Sequence, residues 1–252
     1  MFTLRSSSRG SRRLCAGSLA AAALLAGSGL QAQNETPEPL SAVAPPGLDV
    51  THATSAARLS PAAQAAAEAG IRALSQNKFG DAETDFQKML KLSPDNPAAL
   101  INLGLAEFRL GRAEEAQKDL ERAVQLTPDA GLAWMMLGVI HMNQEDIDAA
   151  TAALAQAVYL SPKSPQAHNY FAVVLAKRGW YDAAEDELRK VLELSPNFAE
   201  AHFNLALIYF QQNPPAVELA RRHYHKAIEL GADPDPAFAA KLNAAPAPDA
   251  VQ

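Results

Sequence analysis

Cysteine is almost missing from the 252 residues: Cys15 is the single one. Its scarcity excludes a disulfide framework, a cysteine-ligated zinc site and a thiol nucleophile in a mature domain. Aromatic residues reach only 6%. Basic residues are also in the minority. Four of the twenty-two (Arg5, Arg9, Arg12 and Arg13) precede residue 34, while all twenty-eight acids lie beyond it. A chain starting near residue 33 therefore has eighteen bases against twenty-eight acids, a net charge of −10. That sign does not suit a phosphate backbone, so nucleic acid is not an expected partner. No Gly-rich phosphate loop, G-x-S-x-G elbow or H-E-x-x-H motif occurs. No enzymatic activity, cofactor or metal is expected. What remains is ordinary: 48% apolar residues and a length sufficient for one or two domains with a sizeable core.

Residues 1–32 read as an export signal. A basic start holding the four arginines is followed by an Ala/Leu-rich stretch from Leu14 to Ala26, then by small residues running through Ser28 and Gly29 to Ala32. Cleavage is expected after Ala32, although Leu30 fits the −3 position poorly. The stretch is too short and too rich in Gly, Ser and Ala to span hydrocarbon, so no membrane span is expected after cleavage. Ser11-Arg12-Arg13-Leu14 also resembles a twin-arginine signal, with Cys15 where a strongly apolar residue is usual. The expected location is periplasmic or secreted. A mitochondrial transit peptide is the alternative, because the segment is rich in Arg and Ser and holds no acid. Residues 33–59, with Pro37, Pro39, Pro45 and Pro46, read as a disordered linker, and residues 246–252 as a disordered tail.

Between these ends the chain repeats. Leu92-Ser93-Pro94, Leu126-Thr127-Pro128, Leu160-Ser161-Pro162 and Leu194-Ser195-Pro196 follow one another at steps of 34 residues. The blocks are 63–96, 97–130, 131–164, 165–198 and a longer 199–234. Each contains two apolar-periodic runs, predicting two helices, separated by a turn centred on Asn77, Gly111, Glu145, Gly179 or Asn213. Four of these five are Gly or Asn, which tolerate the left-handed backbone that ends a helix. Small residues recur in the first helix at Gly70, Gly104, Gly138, Ala172 and Ala206. The second helix pairs Ala82, Ala116, Ala150, Ala184 and Ala220 with a bulky residue four positions later, on the same face: Phe86, Leu120, Leu154, Leu188 and Tyr224. Each closing proline stops the second helix. Ser60-Pro61 is suited to start the first helix, and residues 236–243 to form a capping helix, with Phe238 and Leu242 on the covered side.

These residues resemble the tetratricopeptide repeat (TPR) family, whose pattern W-x2-L-G-x2-Y…A-x3-F…P is met in the third block by Trp134, Leu137, Gly138, Ala150, Leu154 and Pro162. The second block matches it with Leu100, Leu103, Gly104, Ala116, Leu120, Ala123 and Pro128. The first departs from it, with Ala66 and Ala69 at the Trp and Leu positions, and the last displaces its proline, as terminal repeats do. The resemblance implies an all-α fold: a right-handed superhelical solenoid of five helix-turn-helix repeats within a domain at 60–245, closed by the cap. Trp134 is then expected to be buried between helices.

Six histidines are the remaining chemical candidates. His168 and His202 occupy the position that Trp134 has in its repeat, so both are expected to be structural. His223 and His225, two apart on a helix, point to different sides rather than at one metal. His141 and His52 stand alone. Carboxylates at Glu114-Glu115, Asp146/Asp148 and Glu185-Asp186-Glu187 begin second helices, where they favour the helix dipole.

The resemblance also implies a concave groove walled by first helices. By register its partner-binding residues are Ile101, Asn102, Leu105, Phe108 and Arg109; Met135, Val139, Met142 and Asn143; Asn169, Val173 and Lys177; and Phe203, Asn204, Leu207 and Phe210. Leu132, Gln166, Glu200 and Gln211 share the same stripe. Asn102 and Asn204 hold the position at which peptide-binding relatives grip a ligand backbone. The set that grips a C-terminal carboxylate in chaperone-binding relatives is not recognisable. Aromatic residues and Met suit an adaptable apolar surface, with Phe108, Met142 and Phe210 expected to be substitutable without loss of fold. The expected function is a non-catalytic module holding a peptide or protein segment in this groove. The alternative is a structural assembly subunit that uses repeat-end or convex surfaces.

Overall fold

The computed structural model describes residues 59–245. The expected export segment, the linker up to residue 58 and the tail from 246 lie outside the described residues. Five helix pairs follow in order: α1 (Pro61–Ser75) and α2 (Phe79–Leu92); α3 (Pro97–Arg109) and α4 (Ala113–Leu126); α5 (Gly131–Asn143) and α6 (Ile147–Leu160); α7 (Pro165–Lys177) and α8 (Tyr181–Leu194); α9 (Ala199–Gln211) and α10 (Val217–Glu229). The last helix among the described residues is α11 (Pro236–Ala244). The chain is an all-α solenoid.

Local chemistry starts these helices. Ser60, Asn96 and Ser164 each accept a hydrogen bond from the backbone three residues on, and each is followed by proline at the first helical position. Asp235 caps α11 in the same way, accepting from the Ala237 and Phe238 N–H groups at 2.9 and 3.0 Å. A polar cap plus a preset proline φ fixes where a helix begins, independent of what it packs on.

Between paired helices the seam is made of small-on-large contacts. Leu154 of α6 presses on Gly138 of α5 so closely that a Cβ there would stand 2.4 Å from Leu154 Cγ. Ala82, Ala116, Ala150, Ala184 and Ala220 are all fully buried, as are Phe86, Leu120, Leu154 and Leu188. Each second helix also packs on the first helix of the next pair, and successive first helices touch one another from α1 to α9. First helices therefore form one continuous layer, the inner wall, with the second helices behind it. The core runs along the seam as several adjoining clusters, as expected of a structure whose repeats meet only their neighbours.

The turns differ from expectation in two places. Asn77, Gly111 and Gly179 have positive φ, as their chemistry suggests, but so does Glu145 at 62°. Asn213 does not; it precedes Pro214 through a cis bond in the turn carrying two extra residues. The repeat geometry imposes the left-handed residue at 145 regardless of its side chain, a conformation that costs an ordinary L-residue about 1 kcal/mol or more. Glu145→Gly should thus raise the unfolding free energy by about 0.5–1 kcal/mol in a denaturant titration. Gly111 and Gly179 in the equivalent turns have open space around them. A destabilised Glu145→Gly would mean that the glutamate side chain holds this turn.

Trp134 is half-buried rather than enclosed. Its indole Nε1–H donates to the Pro128 carbonyl at 2.8 Å, keeping the ring at the edge of the joint. Its truncation is accordingly expected to cost less than loss of a core aromatic.

Candidate functional site

The inner wall is the candidate site, and its two ends differ. Of the residues assigned to it from sequence, Leu105, Phe108, Arg109, Met135, Lys177 and Phe210 are half-buried and Asn143 is exposed. Ile101, Asn102, Val139, Met142, Asn169, Val173, Phe203, Asn204 and Leu207 are buried. Met142 is no surface residue: 4% exposed, it belongs to a core cluster with Leu154, Val173 and Val174. Phe210 packs edge-on against Phe238 of the cap, ring centroids 5.5 Å apart, so it too supports the fold. The expectation that Met142 and Phe210 are freely substitutable is corrected on both counts. The half-buried apolar side chains assigned to the wall stand instead on α3 and α5: Leu105, Phe108, Leu132 and Met135.

Polar groups on the wall divide in the same way. Toward the C-terminal end, Asn204 Nδ2 donates to Asn169 Oδ1 at 3.0 Å, joining α9 to α7. One register back from Asn102, at the position that supplies Asn169 to Asn204, stands Ala67, which has no acceptor side chain. Asn102 is buried, and its Nδ2 has no hydrogen-bond partner among the described residues. Arg109 follows seven residues later, on the same face of α3. Its guanidinium lies over the Phe79 ring at 4.3 Å, and its buried Nε is also unpartnered among the described residues. Burial lowers the pKa of Arg109 and of Lys177. Burial raises the pKa of Tyr170 of α7, with Glu200 adding to the shift and Arg109 opposing it.

Behind the wall, the tryptophan position is a recurrent joint. Trp134 Nε1, His168 Nε2 and His202 Nε2 each meet the carbonyl of the repeat-closing proline six residues earlier, at 2.8, 3.0 and 3.2 Å. The expected structural role of His168 and His202 agrees with this geometry. The second nitrogen differs between them. His168 Nδ1 faces Glu187 Oε2 at 2.5 Å, whereas His202 Nδ1 faces His223 Nδ1 at 3.0 Å. Sequence reading missed this second pair because its members lie 21 residues apart, with no motif linking them. Nor did it single out Glu107, a carboxylate buried in the seam. The signal was present: the family's tyrosine position is acidic only in that repeat.

Among the described residues no group of three or more His, Cys, Asp or Glu side chains is arranged to hold a metal, and no helix is long and apolar enough to cross a membrane. First helices stacked into one wall, each backed by its second helix, define a helical repeat scaffold. The tetratricopeptide repeat family matches residues 67–129 and 109–168, and a further TPR repeat description matches 172–213. The chain belongs to the tetratricopeptide repeat family.

No curated protein matches the sequence. Solved structures do. MamA of Desulfovibrio magneticus, residues 41 to its end, is 17% identical with a TM-score of 0.60, covering 69% of this chain and 97% of its own. A thermophilic TPR protein of Thermus thermophilus is 23% identical with a TM-score of 0.56, covering 72% and 97%. Pseudomonas aeruginosa pilF is 17% identical with a TM-score of 0.62, covering 69% and 78%. At these identities the likeness is one of fold.

Proposed function

We propose that the protein is a non-catalytic interaction module that holds an extended peptide segment on the α3–α5 half of its inner wall, outside the cytoplasm. The observation that carries this reading is the pair of unpartnered buried donors, Asn102 Nδ2 and Arg109 Nε, on one face of α3. A buried donor left unsatisfied costs about 1–3 kcal/mol. A ligand carbonyl on Asn102 and an acceptor on Arg109 would recover that cost, while Leu105, Phe108, Leu132 and Met135 receive apolar side chains. Asn102→Leu should therefore leave the free protein as stable as before or more so, and Phe108→Ser, half-buried against the core cluster that includes Leu100 and Leu137, should lower the melt by less than a core truncation does. Both should weaken capture of the partner from an envelope extract about tenfold or more. Intact capture by both variants would place the binding surface elsewhere.

One observation favours the second reading, an assembly subunit using its outer edge. Leu92, Leu126 and Leu194 recur on the 34-residue register at the ends of second helices, and all three are exposed. Leu126→Ser is the discriminating variant: loss of capture there, with capture retained in Asn102→Leu, supports the edge over the groove.

The extracytoplasmic location rests on Arg12-Arg13, the apolar stretch and the small residues ending at Ala32. N-terminal sequencing of protein from the native host should give a start near Gln33. Intact Met1 chains recovered from the cytosol would contradict it.

A further inference from the structure

The helix pair α9–α10 puts two imidazoles where the preceding repeat has an imidazole and a carboxylate. His202 and Glu187's counterpart, His223, meet through their Nδ1 atoms at 3.0 Å, with ring centroids 5.2 Å apart and planes inclined by 33°. His202 Nε2–H donates to the Pro196 carbonyl, which fixes that ring's tautomer and leaves its Nδ1 as a lone pair aimed at His223. We infer that this pair is a binding site for a late first-row divalent cation such as Zn²⁺, chelated by the two Nδ1 atoms.

The geometry suits this. Two Zn–N bonds of about 2.0–2.1 Å at the tetrahedral angle hold their nitrogens roughly 3.3 Å apart, so the rings need to part by a few tenths of an ångström and turn by roughly 35° each to bring both lone pairs onto the cation. A backbone carbonyl accepting the other ring N–H is the usual second-layer support of a metal-bound histidine. Imidazole is a preferred ligand for zinc, copper and nickel. When the cation enters, the proton on His223 Nδ1 transfers to Nε2 through solvent, and both rings bind neutral. Both rings are half-buried, so water or a partner's donor can complete the shell. Arg222 and Lys226 oppose a cation here while Glu185 favours one, which sets the site apart from a closed structural zinc centre.

Calorimetric titration of tag-free protein with Zn²⁺ at pH 7.5 should show one saturable site per chain. Long-range ¹H–¹⁵N spectra should show the ring nitrogens of His202 and His223 shifting as it fills. His223→Gln should weaken binding at least tenfold, while His225→Gln, the exposed neighbour on α10, should leave it unchanged. Zinc binding that survives His223→Gln, ring signals that do not move, or no saturable binding at all would overturn the assignment. If His202→Gln proves too unstable to titrate, the spectra of the unsubstituted protein still decide it.

Discussion

Phe86→Ala is expected to lower the unfolding free energy by about 3–5 kcal/mol. Phe86 is fully buried and is the largest such side chain in the first repeat. Its ring lies directly over Gly70, where an added Cβ would stand 2.7 Å from Cζ. Truncation leaves a cavity that α1 and α2 cannot fill without moving together. Repeats couple only to their neighbours, so amide exchange should accelerate across α1–α4 and stay close to normal in α7–α10. The pairing itself is open to a double-mutant cycle. Gly70→Ala alone forces the ring aside. In the Phe86→Ala background the same change has room, and gains about 1 kcal/mol of helix propensity. Additive effects would show that the two positions do not meet.

Glu107→Gln should stabilise the protein at neutral pH by about 2 kcal/mol, a gain that disappears in acid. Glu107 is 5% exposed, and its Oε2 has no hydrogen-bond partner among the described residues. Burial, then Asp119, push its pKa up to about 7; Arg112 acts against them, and Glu83 and Glu115 add to them. Between the unfolded value of 4.5 and about 7, the folded protein holds a proton that the unfolded chain has lost. Stability due to this group is therefore complete below pH 4.5 and falls as pH rises toward 7. Glutamine has no charge to bury, so the advantage of the variant should grow over that interval and level off above it. His223 titrates with the opposite sense, its folded value lying below its unfolded one, so stability due to it is lost as pH falls from 6.5 toward 4. The two slopes oppose each other, so the difference between Glu107→Gln and the parent is the quantity to measure. A difference independent of pH would show that the carboxylate is ionised and satisfied in the fold.

Most of the architecture was legible because the forces that build it are local or periodic. Prolines at steps of 34 stop the second helices, Ser60, Asn96 and Ser164 start first helices, and the Gly–bulky register predicts which side chains meet. Glu145 was not legible as a left-handed residue, since that conformation is set by the distance the turn must bridge and not by the residue in it. The inner wall was readable as a stripe but not as a surface. Register places Met142 and Phe108 on equivalent faces, yet Met142 is enclosed by Val173 and Val174 of the next first helix, while Phe108 is only partly covered. Burial of that kind depends on curvature and on which neighbour is bulky. The same holds for Asn102 and Asn204, identical in register. One has an asparagine across the seam and the other an alanine.

The ring-to-carbonyl joints at Trp134, His168 and His202 bear on how the scaffold responds to force. Three of the four junctions between repeats carry such a strut. The first carries Leu100 at that position, six residues after Pro94, and a leucine side chain has nothing to donate. A load pulling the solenoid apart along its axis would accordingly meet a hydrogen-bonded ring at the last three junctions and side-chain packing alone at the α2–α3 junction, the most extensively packed of the four. That junction borders the wall where Asn102 and Arg109 keep buried donors without a partner among the described residues. Apolar packing is non-directional, so a small shift of α3 on α2 breaks no such hydrogen bond.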